Sequence, residues 1–184
     1  MALAIVSAPG IPDIRQSLNQ LQLEQFQHDE KYHREIARLT VADRLKHMAL
    51  HFAKYAGNLV EAGGDEARIQ RVVTDIFVIG TSCANILNLR LPEALLKGDG
   101  GSPDDGDVGC FTAMLTIHAG RMAAACEKLD HVEDFPFRAT VTKAAVALVD
   151  SAIRFAESHG WDLAVLVRSR LATIKEKMIF HGRI

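Results

Sequence analysis

From Leu45 onward the apolar residues Leu45, Met48, Phe52, Tyr55 and Leu59 step 3-4-3-4, the spacing of one buried seam on an α-helix. Thr40-Val-Ala-Asp43 ahead of them reads as a capping-box-like start, and the pair Gly63-Gly64 stops the run. Asp65 restarts the chain, and a second long helix runs to about Asn88 through VVTDIFVIGTSCANIL. An apolar stretch of that length predicts burial on most sides. Upstream, Pro-Gly-Ile-Pro closes an irregular segment over about 1–12, and Asp13 offers an N-cap. Ile14, Leu18, Leu21 and Leu23 then predict a helix over about 14–30, which the charged stretch HDEKYHREIARL continues as helix or frayed extension.

Pro92 opens a short segment, LPEALL, and GDGGSPDDGDVG at 98–109 reads as a loop, being almost wholly Gly, Asp, Ser and Pro. Helices are predicted again over about 110–130, about 138–159 after Phe135-Pro-Phe137, and about 162–178. No stretch alternates apolar and polar residues as a strand does. The expected fold is an all-α helical bundle, a single domain over 13–184.

The two halves echo each other. With Ala56-Gly57 set on Ala119-Gly120, Leu59 falls on Met122 and Ala62 on Ala125; nine extra residues around DHVEDFPF then bring Ala84 onto Ala156 and LRLPEAL onto WDLAVLV. The common order predicts two degenerate copies of one helical hairpin, over about 40–96 and about 110–178. Any two amphipathic hairpins align to a comparable degree, so the order of elements carries the expectation. Glycine inside an exposed helix costs about 0.5–1 kcal/mol relative to Ala. The repeated Ala-Gly therefore predicts either a close approach of two helices or room for something bound between them.

Composition narrows the class. A net charge of −2 gives no basic excess for nucleic acid or an anionic membrane, and neither is an expected partner. Aromatics make up 6% while Ala and Leu abound, which favours helix. Three cysteines without paired spacing, Cys83, Cys110 and Cys126, fit buried thiols of a reducing compartment. The opening MALAIVSAPGIP lacks a basic leader, and no window approaches the ~18 apolar residues of a membrane span. A cytoplasmic protein is expected.

A polar stripe runs beside the first seam: His47, His51, Lys54, Asn58 and Glu61 step 4-3-4-3 and share one helix face, aimed into a groove or into water. On the next helix Asp75 is the one charge between Arg71 and Arg90. Burying it unpaired would be costly, so it needs a metal or a partner, for which Arg71 is a candidate.

KYAGNLVEA followed by VVTDIFVIGTSCANILNL resembles the all-α nucleotide pyrophosphatases, the MazG-like superfamily. Its members carry a helix near E-E-x-G-E-L-x-E-A and then one near E-x-x-D-V-L-x-x-x-x-x-x-A-N. VDSAIRFAESHGWDLAVLVRSRLATIKEK resembles the same family's closing pattern. The resemblance implies a nucleoside triphosphate pyrophosphohydrolase in which acids of two helices bind Mg²⁺, the candidate cofactor. Most of those acids are replaced here. The first-helix acids fall on Lys54, Tyr55 and Asn58, with Glu61 kept; the second-helix pair falls on Val72 and Asp75, with Asn85 kept. In the second half the matching positions are His118, Arg121, Ala144 and Ala147, none acidic.

The resemblance thus leaves Glu61 and Asp75 as metal candidates and His51, Lys54, Asn58, Asn85 and Arg121 as ligand-binding candidates. Lys54 and Arg121 would favour an anion, such as a nucleotide or another phosphate-containing small molecule, over a metal. The expected activity is a weakened or lost Mg²⁺-dependent hydrolysis. The alternative is a non-catalytic helical module for homo-oligomer formation or protein partners.

Other patterns carry less. His47 and His51 have the i, i+4 spacing of a helical metal pair, without the Glu of H-E-x-x-H or a placed third ligand. Asp150, Arg154 and Glu157 read as a solvated, ion-paired face. Cys83 and Cys126 read as core thiols. Gly-rich nucleotide loops and the G-x-S-x-G elbow are absent from the sequence, and the acids of the GDGG loop would repel phosphate. The closing KEKMIFHGRI is basic and reads as a helix end followed by a loose tail that would pack on a partner.

Overall fold

A computed structural model describes residues 14–97 and 106–176. The irregular 1–12 segment, residues 98–105 of the loop and the tail from 177 lie outside the described residues. Among the described residues the chain forms eight helices and no strand: α1 (Ile14–Tyr32), α2 (Arg34–Ala37), α3 (Val41–Ala62), α4 (Glu66–Ile86), α5 (Leu91–Lys97), α6 (Val108–Asp130), α7 (Phe137–Ser158) and α8 (Leu163–Glu176).

Local chemistry sets the ends of these helices. The Thr40 hydroxyl accepts from the Asp43 backbone N–H at 3.1 Å and donates to the Asp43 carboxylate at 2.7 Å, which starts α3. Asp65 and Asp107 accept in the same way from the N–H of Arg68 and Cys110, so α6 begins inside the stretch expected to be loop. Gly63, at φ +57°, takes the left-handed turn that closes α3.

α3, α4, α7 and α6 form a four-helix bundle in that cyclic order, each packed on its two neighbours. The seam Leu45, Met48, Phe52, Tyr55 and Leu59 is buried throughout, and Phe77, Phe111 and Phe155 fill the interior with Phe52. α4 is enclosed because α3 and α7 flank it while α1 and α8 cover its remaining side. α5 packs on α1 and α7.

Three expectations change. On α1 the seam runs Ile14, Leu18, Leu21, Gln25, His28; Leu23 is 47% exposed. The charged stretch breaks at His33, where α2 begins. Gly57 and Gly120 do not mark a close approach, since a Cβ at either would meet nothing within 4 Å. The close approach belongs to Gly80, where a Cβ would lie 2.5 Å from Val149 Cγ2, between α4 and α7. Cys83 and Cys126 are buried as expected, whereas Cys110 is exposed. No single helix among the described residues is long and apolar enough to cross a membrane.

Candidate functional site

A cavity of about 350 Å³ opens where α1 and the α1–α2 break meet α3, α4 and α8. α3 lines it with Arg44, His47, His51 and Lys54, one residue per turn along the face beside the Leu45–Leu59 seam. The periodicity that buries Met48, Phe52 and Tyr55 therefore also aims this polar stripe at the cavity. α1 adds Gln25, His28 and Asp29, the break adds His33, and α4 adds Asp75 and Ser82.

The stripe is connected. Lys54 Nζ donates to His51 Nδ1 at 3.0 Å. An ammonium can only donate, so the His51 proton is on Nε2, which donates to His47 Nε2 at 3.1 Å and leaves the His47 proton on Nδ1. Burial first, then the Lys54 charge and the neighbouring His47 and His33, push the His51 imidazole down to about 4, so it is neutral at pH 7. The Lys54 ammonium also sits 4.5 Å from the Tyr55 ring centroid. Burial, then the Asp75 carboxylate, push the Tyr55 phenol up.

Asp75 is buried, and its partner is Arg170 of α8 rather than Arg71, which is exposed. Arg170 grips it bidentately, Nε to Oδ1 at 2.5 Å and Nη2 to Oδ2 at 2.9 Å. Both carboxylate oxygens are thereby engaged. Glu61 lies two turns beyond Lys54 on α3, exposed, with Oε2 4.0 Å from Arg68. The two acids expected to share Mg²⁺ therefore do not line one cavity. Asn58, half-buried, is one turn past Lys54 and also outside the lining. Asn85 ties α4 to α1: its Nδ2 donates to the Gln22 carbonyl at 3.1 Å and its Oδ1 accepts from Gln22 Nε2 at 3.1 Å.

Arg121 lies elsewhere. With His118 and Lys143 it lines a second cavity of about 910 Å³ between α5, α6 and α7. His118 Nδ1 is buried there without a hydrogen bond, and burial, then Arg121 and Lys143, lower its pKa.

Sequence reasoning missed Arg44, His28, Asp29, His33 and Arg170. A signal existed for one of them: extending Ile14–Leu18–Leu21 by four and three reaches Gln25 and His28, two polar residues in core positions. Burial would raise the Asp29 carboxyl, but His28 Nδ1 at 3.9 Å, hydrogen bonds from Ser82 and Gln25, and His33 hold it below its ordinary value. No family model, curated protein or solved structure matches the chain.

Proposed function

We propose that the protein binds a small anion, a nucleotide or another phosphate-bearing molecule, in the cavity between α1, α3, α4 and α8. The observation that carries this is the pair of cations on its α3 wall. Arg44 and Lys54 both line the cavity, and neither has a carboxylate partner among the described residues. The Arg44 Nε is buried without a hydrogen bond. A buried donor left unsatisfied costs about 1–3 kcal/mol, which a phosphate oxygen arriving between Arg44 and Lys54 would recover. The volume of about 350 Å³ is at the small-molecule end of ligand sites.

The MazG-like reading gains support from the packing order. α3–α4–α5 and α6–α7–α8 follow the same plan, and α5 lies on α7 as α8 lies on α4. In the alignment of the halves Tyr55 and Asp75 correspond to His118 and Ala147. The first two line one cavity and the second two line the other. Hydrolysis assisted by Mg²⁺ is the part of the family's chemistry this chain would have lost, since Arg170 occupies Asp75 and Lys54 stands where an acid is expected.

The test is thermal unfolding with a panel of nucleoside triphosphates and pyrophosphate, with and without Mg²⁺. Stabilisation that persists without metal and disappears in Lys54→Ala is the expected result. No shift with any of these anions would sink the proposal. A second reading, self-association, is favoured by one observation: Leu50 and Val60 of α3 and Ile117 of α6, 70%, 72% and 53% exposed, are apolar residues in solvent on two helices that pack against each other. Sedimentation of the chain as a monomer at high micromolar concentration would remove that reading.

A further inference from the structure

The geometry points to a metal site in the same cavity: a divalent transition ion of the zinc or iron class held by His28, Asp29 and His33. One ligand atom from each of the three lies within 4.8 Å of the other two. Ligand atoms on a tetrahedral ion with bonds near 2.1 Å are about 3.4 Å apart, so the three need only close inward. His33 provides the freedom to do so, because it sits half-exposed at the break between α1 and α2.

His28 carries the argument furthest. It is 8% exposed, and its Nε2 lies 3.2 Å from the Leu171 backbone carbonyl. A carbonyl can only accept, so Nε2 carries a ring proton and Nδ1 is the nitrogen left to bind a metal. That Nδ1 is buried with no hydrogen bond, and Asp29 Oδ1 at 3.9 Å is out of hydrogen-bond reach. An imidazole whose outer N–H is fixed by a backbone carbonyl, while the inner nitrogen has no hydrogen bond and faces a carboxylate, is oriented as metal-bound histidines are.

The carboxylate is supported in the same manner. Asp29 Oδ2 accepts from Ser82 Oγ at 2.6 Å, and Oδ1 accepts from Gln25 Nε2 at 2.9 Å. Ser82 and Gln25 are themselves buried and bonded to each other at 2.9 Å. Two imidazoles and one carboxylate select zinc, iron(II) or cobalt over Mg²⁺ or Ca²⁺, which want oxygen ligands. Three protein ligands leave a coordination position for water or an anion on the cavity side. The His47–His51 pair is not the ligand set, because Lys54 and the hydrogen bond between the rings already engage three of its four nitrogens.

This site shares a cavity with the proposed anion but does not depend on it, so the titration uses metal alone and no phosphate. The EDTA-treated full chain is titrated with Zn²⁺ by calorimetry and with Co²⁺ by visible absorption, for wild type, Asp29→Asn, His33→Ala and His47→Ala. One ion per chain is expected, with a Co²⁺ spectrum of four- or five-coordination that excess Mg²⁺ does not abolish. Affinity should fall at least about tenfold in Asp29→Asn and His33→Ala, the loss that removing even an outer partner brings. His33 is partly exposed, so its replacement leaves the core intact, and circular dichroism checks this. No binding, binding unchanged in both variants, or binding lost in His47→Ala instead, would overturn the assignment.

Discussion

His51 is a neutral hydrogen-bond relay because burial and neighbouring groups oppose its protonation. Burial comes first and the Lys54 charge second, so Lys54→Ala should raise the His51 pKa from about 4 back toward 6.5. A histidine-resolved NMR titration of wild type and variant measures it; an unchanged midpoint would remove Lys54 as a cause. Asp75 and Arg170 form the other pair that decides behaviour at this scale. Breaking a buried ion pair from one side leaves an uncompensated charge, so Arg170→Ala should cost about 3 kcal/mol in urea unfolding. Asp75→Leu with Arg170→Met should recover most of that, because the pair's attraction is offset by its desolvation. If the double change were as damaging as the single one, Asp75 would be needed for something beyond its partner.

At the scale of helices, the glycines separate by face. Gly57 is two residues from both Tyr55 and Leu59, which turns it to the opposite side of α3 from the seam. Gly80 is in step with Val73, Ile76, Phe77 and Ala84, all buried. Gly57→Ala and Gly120→Ala should each stabilise the chain by about 0.5–1 kcal/mol, since both sites have open space and ordinary helical backbone. Gly80→Ala should destabilise by about 1–3 kcal/mol, because Val149 is fully buried and stiff about χ1. Denaturation midpoints of the three variants check the signs. The helical periodicity alone contains that division of faces, and the caps at Thr40 and Asp65 are equally legible in the sequence. Which helix lies against Gly80 is not, because periodicity describes one helix and says nothing of its neighbour. For the same reason Arg71, one turn from Asp75, is the natural partner by sequence, whereas Arg170 reaches it from 95 residues away.

For the molecule as a whole, the all-α bundle follows from four long amphipathic or apolar helices. The cavity arises where α1 and α8 leave a gap beside the core. α3 supplied the candidates that converged there, His51 and Lys54, because its polar stripe was continuous. The residues from α1 were hidden in a charged run that reads locally as solvated surface. Asn85 and Glu61 were selected by resemblance, and their surroundings give them structural partners instead. The cavity also shapes the pH response. The folded His51 pKa lies below its ordinary 6.5, so the unfolded chain binds that proton first. Its contribution to stability is complete above about 6.5 and is lost as pH falls from there through about 4. Asp29, held below 3.8, adds a further loss under that value. Melting temperature against pH should therefore decline already between about 6.5 and 4, and His51→Gln should flatten that part of the curve.

The anion-binding claim is tested most directly by calorimetric titration of inorganic pyrophosphate into the metal-free chain, comparing wild type with Arg44→Ala, Lys54→Ala and Arg121→Ala. A charge-assisted hydrogen bond contributes about 1.5–3 kcal/mol, so binding should weaken at least about tenfold in each of the first two variants. It should be unchanged in Arg121→Ala, which lies in the other cavity. Binding lost in Arg121→Ala and retained in the α3 variants, or no binding by the wild type, would contradict the account.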